Sequence, residues 1–233
     1  MDALARHPHL REPKPEGWVR VDLHSHTMWS GDATTTPEEL EAAVTAAGLD
    51  VLCITDHATT AGAEKLRDSL PCSVVIGEEV RCGEGELIGL FLTERIPPGL
   101  SAREVAGAIR EQGGVVYVPH PFDPLRKCLA EPTLIELADE GLLDAIEAFN
   151  AKVSLQSLNR RAAEFADERA LPVGAGSDAH EPGAFGAAIV DMPAFGDRES
   201  FLDALRVARI AGHHYDAPRQ WRPRVVPSTK NLP

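Results

Sequence analysis

Residues 19–27 read Val-Arg-Val-Asp-Leu-His-Ser-His-Thr, and Ser30-Gly31-Asp32 follows after two intervening residues. The apolar alternation of Val19, Val21 and Leu23 is that of a strand, and it stops at two histidines one residue apart. Alternate side chains of an extended backbone point the same way, so His24 and His26 aim two imidazoles at one place. Asp32 comes next, after a Ser-Gly-Asp turn signal. Two neutral imidazoles and a carboxylate suit divalent metals of borderline softness. Standing alone, the same His-x-His could be a solvated pair. What the rest of the chain adds decides between the two.

The pattern recurs at the ends of other strand-like runs. Asp50 to Thr55 is a continuous apolar run of buried-strand type that ends in Asp56-His57. A short strand from Ser73 to Ile76 runs into Gly77-Glu78-Glu79, and another from Glu86 to Leu92 begins on a carboxylate. Val115 to Val118 leads to Pro119-His120-Pro121, Asp144 to Ala148 leads to Asn150, and Pro172 to Ala175 leads to Asp178-Ala179-His180. The collected set is His24, His26, Asp32, His57, Glu79, Glu86, His120, Asp178 and His180. Buried charges need partners, and the few nearby basic residues cannot pair so many. Divalent metals can: they turn repelling carboxylates into ligands and keep the imidazoles neutral. Three such ions bring six positive charges against about four carboxylates, which leaves a positive pocket suited to a phosphate dianion.

The intervening segments read as helices. Thr36-Pro37-Glu38-Glu39 carries an N-cap, a first-turn proline and a capping box, and Gly48 stops that helix. Further helices are expected over Ala61 to Leu70, from Ser101 to Gly113, over Pro132 to Glu140, over Leu155 to Ala170 and over Glu199 to Ala211, with a last strand at Ala187 to Val190. Strands alternating with helices imply a mainly parallel sheet. About seven βα units, with polar residues after strand upon strand, favour a closed barrel whose loops converge on one face at the C-terminal strand ends. An open sheet would gather its ligands at one switch point.

The chain has 233 residues, 43% hydrophobic and 25% charged, with a net charge of −13, so it reads as one ordinary globular domain. The acidic balance argues against a stable nucleic-acid complex. No apolar run approaches membrane-helix length, and no signal core precedes residue 17. Cys53, Cys72, Cys82 and Cys128 form no CxxC pair and read as reduced, packed thiols of a cytoplasmic protein. Residues 1–17 are expected as an extended lead-in with His7 and His9 in solvent, 18–211 as the barrel, and 212–233 as a surface tail. His213-His214 either lies in that tail or folds back over the site.

Taken in order, these motifs resemble the PHP (polymerase and histidinol phosphatase) family of metal-dependent phosphoesterases, over about residues 19 to 195. The resemblance rests on His24-Ser25-His26, Ser30-Gly31-Asp32, Ile54-Thr55-Asp56-His57, Gly77-Glu78-Glu79, Pro119-His120-Pro121, Ile146 to Asn150 and Gly176 to His180. It is nearest the small stand-alone branch, through Gly85 to Leu92 and Pro119 to Asp123. It implies a distorted (β/α)7 barrel with two or three divalent ions, of manganese, zinc or iron, with magnesium a further option. By position, one ion takes His24, His26, Glu79 and Asp178, and Glu79 bridges to a second that also takes His120. A third takes Asp32, His57 and His180. Glu86 stands where many members carry a second-metal histidine, and Asp32 where some carry a histidine, which leaves metal identity open.

The expected chemistry is phosphate-ester hydrolysis by a metal-bound hydroxide, with the ions spreading the charge of the transition state. Small phosphomonoesters or nucleotides are the favoured substrates. The alternatives are a 5′-to-3′ exonuclease on short oligonucleotides, a non-catalytic metal-binding module and a hydrolase of non-phosphate bonds. Asp56 orients an imidazole or caps its strand, Arg126 with Lys127 grips phosphate or stays a solvated pair, and Asn150 is placed to contact substrate. Oligomeric state is not readable from the sequence.

Overall fold

In the computed structural model, residues 3–215 are described. Nine strands form one sheet in the order β7-β6-β5-β4-β3-β2-β1-β8-β9. They are β1 (Trp18–Ser25), β2 (Val51–Ile54), β3 (Ser73–Cys82), β4 (Gly85–Leu90), β5 (Val115–Val118), β6 (Ala145–Asn150), β7 (Val173–Gly176), β8 (Ala188–Pro193) and β9 (Arg209–Gly212). The two flanks nearly close into a barrel at the rim. Asp178 N–H donates to His24 O at 2.8 Å and His26 N–H to Ala179 O at 2.9 Å, joining the extension of β7 to the end of β1. Gly174 and Gly176 permit this approach: a Cβ on Gly174 would stand 2.5 Å from Leu23 Cδ1, and one on Gly176 would overlap His24.

The α/β barrel class expected from the sequence holds, but it is not seven repeats of one βα unit. Pairings β1–β2, β2–β3, β5–β6 and β6–β7 are parallel, whereas β3–β4, β4–β5, β1–β8 and β8–β9 are antiparallel. The β3–β4 hairpin changes where two carboxylates sit. Glu79 lies inside a ten-residue strand rather than after a short one, and Glu86 lies at the start of β4. Because β4 runs antiparallel, its N-terminal end reaches the same rim as the C-terminal ends of its neighbours.

Helices α2 (Pro37–Ala47), α3 (Ala61–Leu66), α4 (Ala102–Glu111), α5 (Glu131–Asp139), α6 (Gln156–Glu168) and α7 (Arg198–Arg206) cover the sheet. The Thr36–Glu39 and Ser101–Glu104 capping boxes form as read. Alternate strand residues divide between two sides. Val21, Leu23, Cys53, Val75, Ile88, Leu90, Tyr117 and Ala175 fill the barrel interior. Their neighbours Leu87, Val116, Val118 and Ile146 pack outward under α4 to α6, and Leu52 and Ile54 under α2 and α3. Residues expected as one long helix to Ala211 instead stop at Arg206 and return as β9, because Ile210 and Ala211 pair with β8.

The lead-in is not extended. Residues Ala3–Arg6 form α1 and Pro8–Arg11 a 3-10 turn, with Ala3 and Leu10 buried beside Phe185. Arg20 fixes this segment to the sheet: it forks onto Asp191 at 2.8 Å through two nitrogens and donates to Leu10 O at 3.0 Å and Glu12 O at 2.9 Å. The surface-tail expectation for 212–233 falls mostly on residues 216–233, outside the described residues. Gly212 is the last residue of β9. Among the described residues no helix is long and apolar enough to cross a membrane.

Candidate metal centre

Nine side chains from β1, β3, β4 and the loops after β1, β2, β5 and β7 meet at the rim. Glu79 is their centre. Its Oε2 lies 3.4 Å from His24 Nε2, 3.2 Å from His26 Nε2 and 3.3 Å from His57 Nδ1, while its Oε1 lies 2.9 Å from His120 Nε2. Strand alternation decides between the two adjacent glutamates. Glu79 faces the rim, and Glu78 faces away, where it accepts from Ile96 N–H at 2.8 Å and is pushed up to about 7 by burial.

Three groupings emerge around Glu79. His24 Nε2 and His26 Nε2 are 3.1 Å apart, with Asp178 Oδ1 at 3.8 and 3.5 Å from them. Glu86 reaches 3.9 Å from both His57 Nδ1 and His120 Nε2. Asp32 Oδ2 lies 3.3 Å from His57 Nε2 and 3.5 Å from His180 Nε2. His57 therefore presents one ring nitrogen to Glu79 and Glu86 and the other to Asp32. All nine residues named from the sequence are brought together.

Two of them hold unusual backbone: His120 has φ 29° and Asp178 φ 51°. Such conformations cost of order 1–3 kcal/mol each and persist where the surroundings enforce them. They turn these two side chains back across the rim.

The donor set fits divalent ions. Nδ1 of His57, Nδ1 of His120 and Oδ1 of Asp32 are buried without a hydrogen-bond partner among the described residues. The charge balance points the same way. Burial opposes charge on Glu79, yet His24, His57 and the bond from His120 hold it well below the usual carboxylate range. Burial equally opposes charge on Asp178, which His24 and Arg126 hold well down. In return His26, although buried, is raised to about 9 by Asp178 and Glu79. Protons on buried imidazoles thus balance the carboxylates, a task that cations perform while leaving the rings neutral.

Behind these groups stands a residue the sequence reading did not single out as part of the site. Glu147 on β6 is fully buried and accepts from His24 Nδ1 at 3.2 Å, His120 N–H at 2.7 Å and Asn150 Nδ2 at 2.9 Å. A lone carboxylate at an inward position of an apolar strand was the available signal. Asn150 belongs to the same network. It is fully buried, its Nδ2 is turned to Glu147 and Asp178, and its Oδ1 accepts from Lys152 N–H at 2.7 Å. Both amide ends are engaged by the protein, and Nδ2 lies 3.5 Å from Asp178 Oδ2. Asp56 accepts from Thr27 N–H and Thr27 Oγ, both at 2.6 Å, and so fixes the backbone directly after His26.

Arg126 is not a solvated cation. Its Nη1 lies 3.2 Å from Asp178 Oδ2 and its Nη2 donates to Lys152 O at 3.1 Å. Lys152, a second residue missed from sequence, brings its Nζ to 3.3 Å from His180 Nδ1. Asp123 ties the two loops that carry these cations, accepting from Leu125 N–H at 3.0 Å and from Ser154 N–H and Oγ at 2.7 Å. Lys127 is exposed. The rim is thus a ring of metal-type ligands with two cations on one side.

Solved structures that share this fold include proteins described as predicted metal-dependent phosphoesterases. The PHP domain profile matches residues 22–84 and the PHP-associated profile residues 156–210. An uncharacterised protein of Methanocaldococcus jannaschii is 39% identical over 146 residues, covering 57% of this chain and 82% of that protein. Among solved structures, a two-domain protein from Bacteroides vulgatus containing a predicted PHP-like metal-dependent phosphoesterase superposes with TM-score 0.72 at 19% identity, over 87% of this chain and 68% of that one. The lesion-specific endonuclease EndoQ of Pyrococcus furiosus superposes with TM-score 0.61 at 15% identity, over 83% and 57%. These structural likenesses concern the fold. The chain belongs to the PHP family.

Proposed function

We propose that this protein hydrolyses phosphate esters at the rim centre, with small phosphomonoesters or nucleotides as substrates and two or three divalent ions as cofactors. The observation that carries the reading is the convergence of His24, His26, His57 and His120 within 3.4 Å of the two oxygens of one buried carboxylate, Glu79. Ions held by His24, His26, Asp32, His57, Glu79, Glu86, His120, Asp178 and His180 would supply Lewis acidity toward a phosphate oxygen and acidify a water in the site.

The chain's own contributions are positional and electrostatic. Glu147 keeps the proton of His24 on Nδ1, which leaves Nε2 directed at the centre. Asn150 and Arg126 hold Asp178 from behind and from the side. Arg126 and Lys152 offer cationic N–H groups to the outer oxygens of a bound phosphate, where charge grows during transfer. The net charge of −13 supports a small substrate over a long polyanion. A nuclease reading draws on the shared fold with EndoQ. The free cysteines fit a reducing compartment.

The test is phosphate release from a panel of small phosphomonoesters, nucleotides and short 5′-phosphorylated oligonucleotides, with manganese, zinc, iron and magnesium in turn, beside His57→Ala. Turnover of small esters that the substitution abolishes supports the proposal. Cleavage of oligonucleotides alone moves it to the nuclease. Metal uptake with no turnover of any substrate moves it to the binding module or a non-phosphate substrate.

A further inference from the structure

A second group of histidines lies away from the rim centre, where the N-terminal segment meets the end of β9. His7 and His9 come from the 3-10 turn region and His213 from the residue after β9. His7 is 1% exposed, and His9 and His213 are half-buried. From the sequence His7 and His9 are expected in solvent and His213 in a tail or over the site, and the rim centre uses none of them.

Their tautomers follow from their partners. His7 Nε2 lies 3.0 Å from Gly183 O, and His9 Nε2 lies 2.9 Å from Gly186 O. A carbonyl oxygen only accepts, so in both rings Nε2 carries the proton and Nδ1 carries a lone pair. A ring N–H donated to a backbone carbonyl, with the other nitrogen bare, is the arrangement that prepares a histidine for a metal. The bare Nδ1 of His7 accepts from His213 Nε2–H at 3.4 Å, and an ion between the two rings takes the place of that proton. Two ligands 2.0–2.1 Å from a tetrahedral ion stand about 3.3–3.4 Å from each other.

The ring centroids set the first two apart from the third. Centroids lie 5.1 Å apart for His7–His213, 5.5 Å for His9–His213 and 6.1 Å for His7–His9. The His24–His26 pair of the rim centre has the same 5.1 Å separation. His7 and His213 are therefore already at ligand spacing. His9 is the wider third, held to Gly186 O, and its ring would have to turn toward a bound ion.

We propose that His7, His213 and His9 form a second, separate metal site for a late first-row divalent ion of the zinc, nickel or copper type. Three neutral imidazoles with no carboxylate or thiolate select that class over magnesium, calcium or manganese. Burial keeps all three rings neutral, with His7 lowered to about 4. The nearby Arg6 guanidinium disfavours a cation, so this site binds more weakly than the rim centre. Its consequence is mechanical: an ion there joins residues 7–9 to the end of β9 and holds the N-terminal segment on the barrel.

The test counts zinc by elemental analysis on the full chain, stripped with chelator and dialysed against zinc. The wild type and His214→Ala hold one equivalent more than His213→Ala or His7→Gln, the second variant serving should the first fail to fold. Equal zinc in the wild type and the variants overturns the site. A second readout is tryptic cleavage at Arg11. Zinc slows it about tenfold in the wild type and not in His213→Ala, and equal protection in both would also overturn it. Neither readout depends on phosphatase activity, so failure here is separate from failure of the proposed function.

Discussion

Replacing Glu147 with glutamine tests whether the residue behind the centre controls the centre. Glu147 receives three donors, from His24, His120 and Asn150. A carboxylate accepts from all three, whereas glutamine has one accepting oxygen and presents an NH₂ group to at least one of them. A buried donor left unpaired costs about 1–3 kcal/mol, so the variant should lose about 2 kcal/mol of stability. For a chain of this size that lowers Tm by about 4–8 °C. The larger consequence is on the metals. Without the carboxylate, His24 is no longer held with its proton on Nδ1, and such second-layer losses weaken metal affinity by about 10–100-fold, or about 1.4–2.8 kcal/mol. Equilibrium dialysis with manganese, on protein shown to be folded by circular dichroism, reads this directly. A folded Glu147→Gln protein that binds metal within twofold of wild type would refute the role assigned to Glu147.

Other outcomes follow from the same geometry. Arg126→Ala and Lys152→Ala should each raise KM for a phosphomonoester about tenfold, and Arg126→Ala, which releases the ligand Asp178, should also lower metal content, as steady-state kinetics beside elemental analysis will show. Gly176→Ala should cost about 3 kcal/mol or more, because a Cβ there meets His24 and stands 2.5 Å from Glu147 Oε1; a melting curve equal to wild type would contradict the tight closure of β7 on β1. Metal binding at pH 7 should release protons, since His26 sits at about 9 without metal and must be neutral to ligate. Calorimetry in buffers of different ionisation enthalpy measures that release, and a buffer-independent heat would count against it. Cys72 is pushed up to about 11 by burial and by Asp50, so only about 0.1% is thiolate at pH 8. Its alkylation should be slow there and speed up tenfold per pH step toward 11.

What the sequence disclosed is uneven in an instructive way. Every candidate ligand was legible, because a histidine or carboxylate following an apolar run is a local signal. Glu79 could be separated from Glu78 by family position, and the two-residue strand repeat explains the choice. The helices with capping boxes at Thr36 and Ser101 were legible for the same local reason. What failed was long-range. Asn150 was legible as a strand-end polar residue, but not its contact with Asp178, 28 residues away. Glu147 lies within the Ile146 to Asn150 motif but had no assigned role, Lys152 had no motif, and only folding brings them to His24 and His180. The antiparallel β3–β4 hairpin was missed because a short apolar run does not reveal strand direction. The N-terminal segment looked unstructured because its anchors, Arg20 to Asp191 and His7 to Gly183, join residues more than 170 positions apart.

The most direct test of the account is anomalous diffraction at the manganese edge from crystals grown with that ion. The account predicts peaks within bonding distance of Glu79, with His24, His26 and Asp178 around one of them, and their loss on chelation. A well-ordered rim with Glu79 in place and no anomalous density beside it, at saturating manganese, would contradict the central claim that these nine residues form a metal centre.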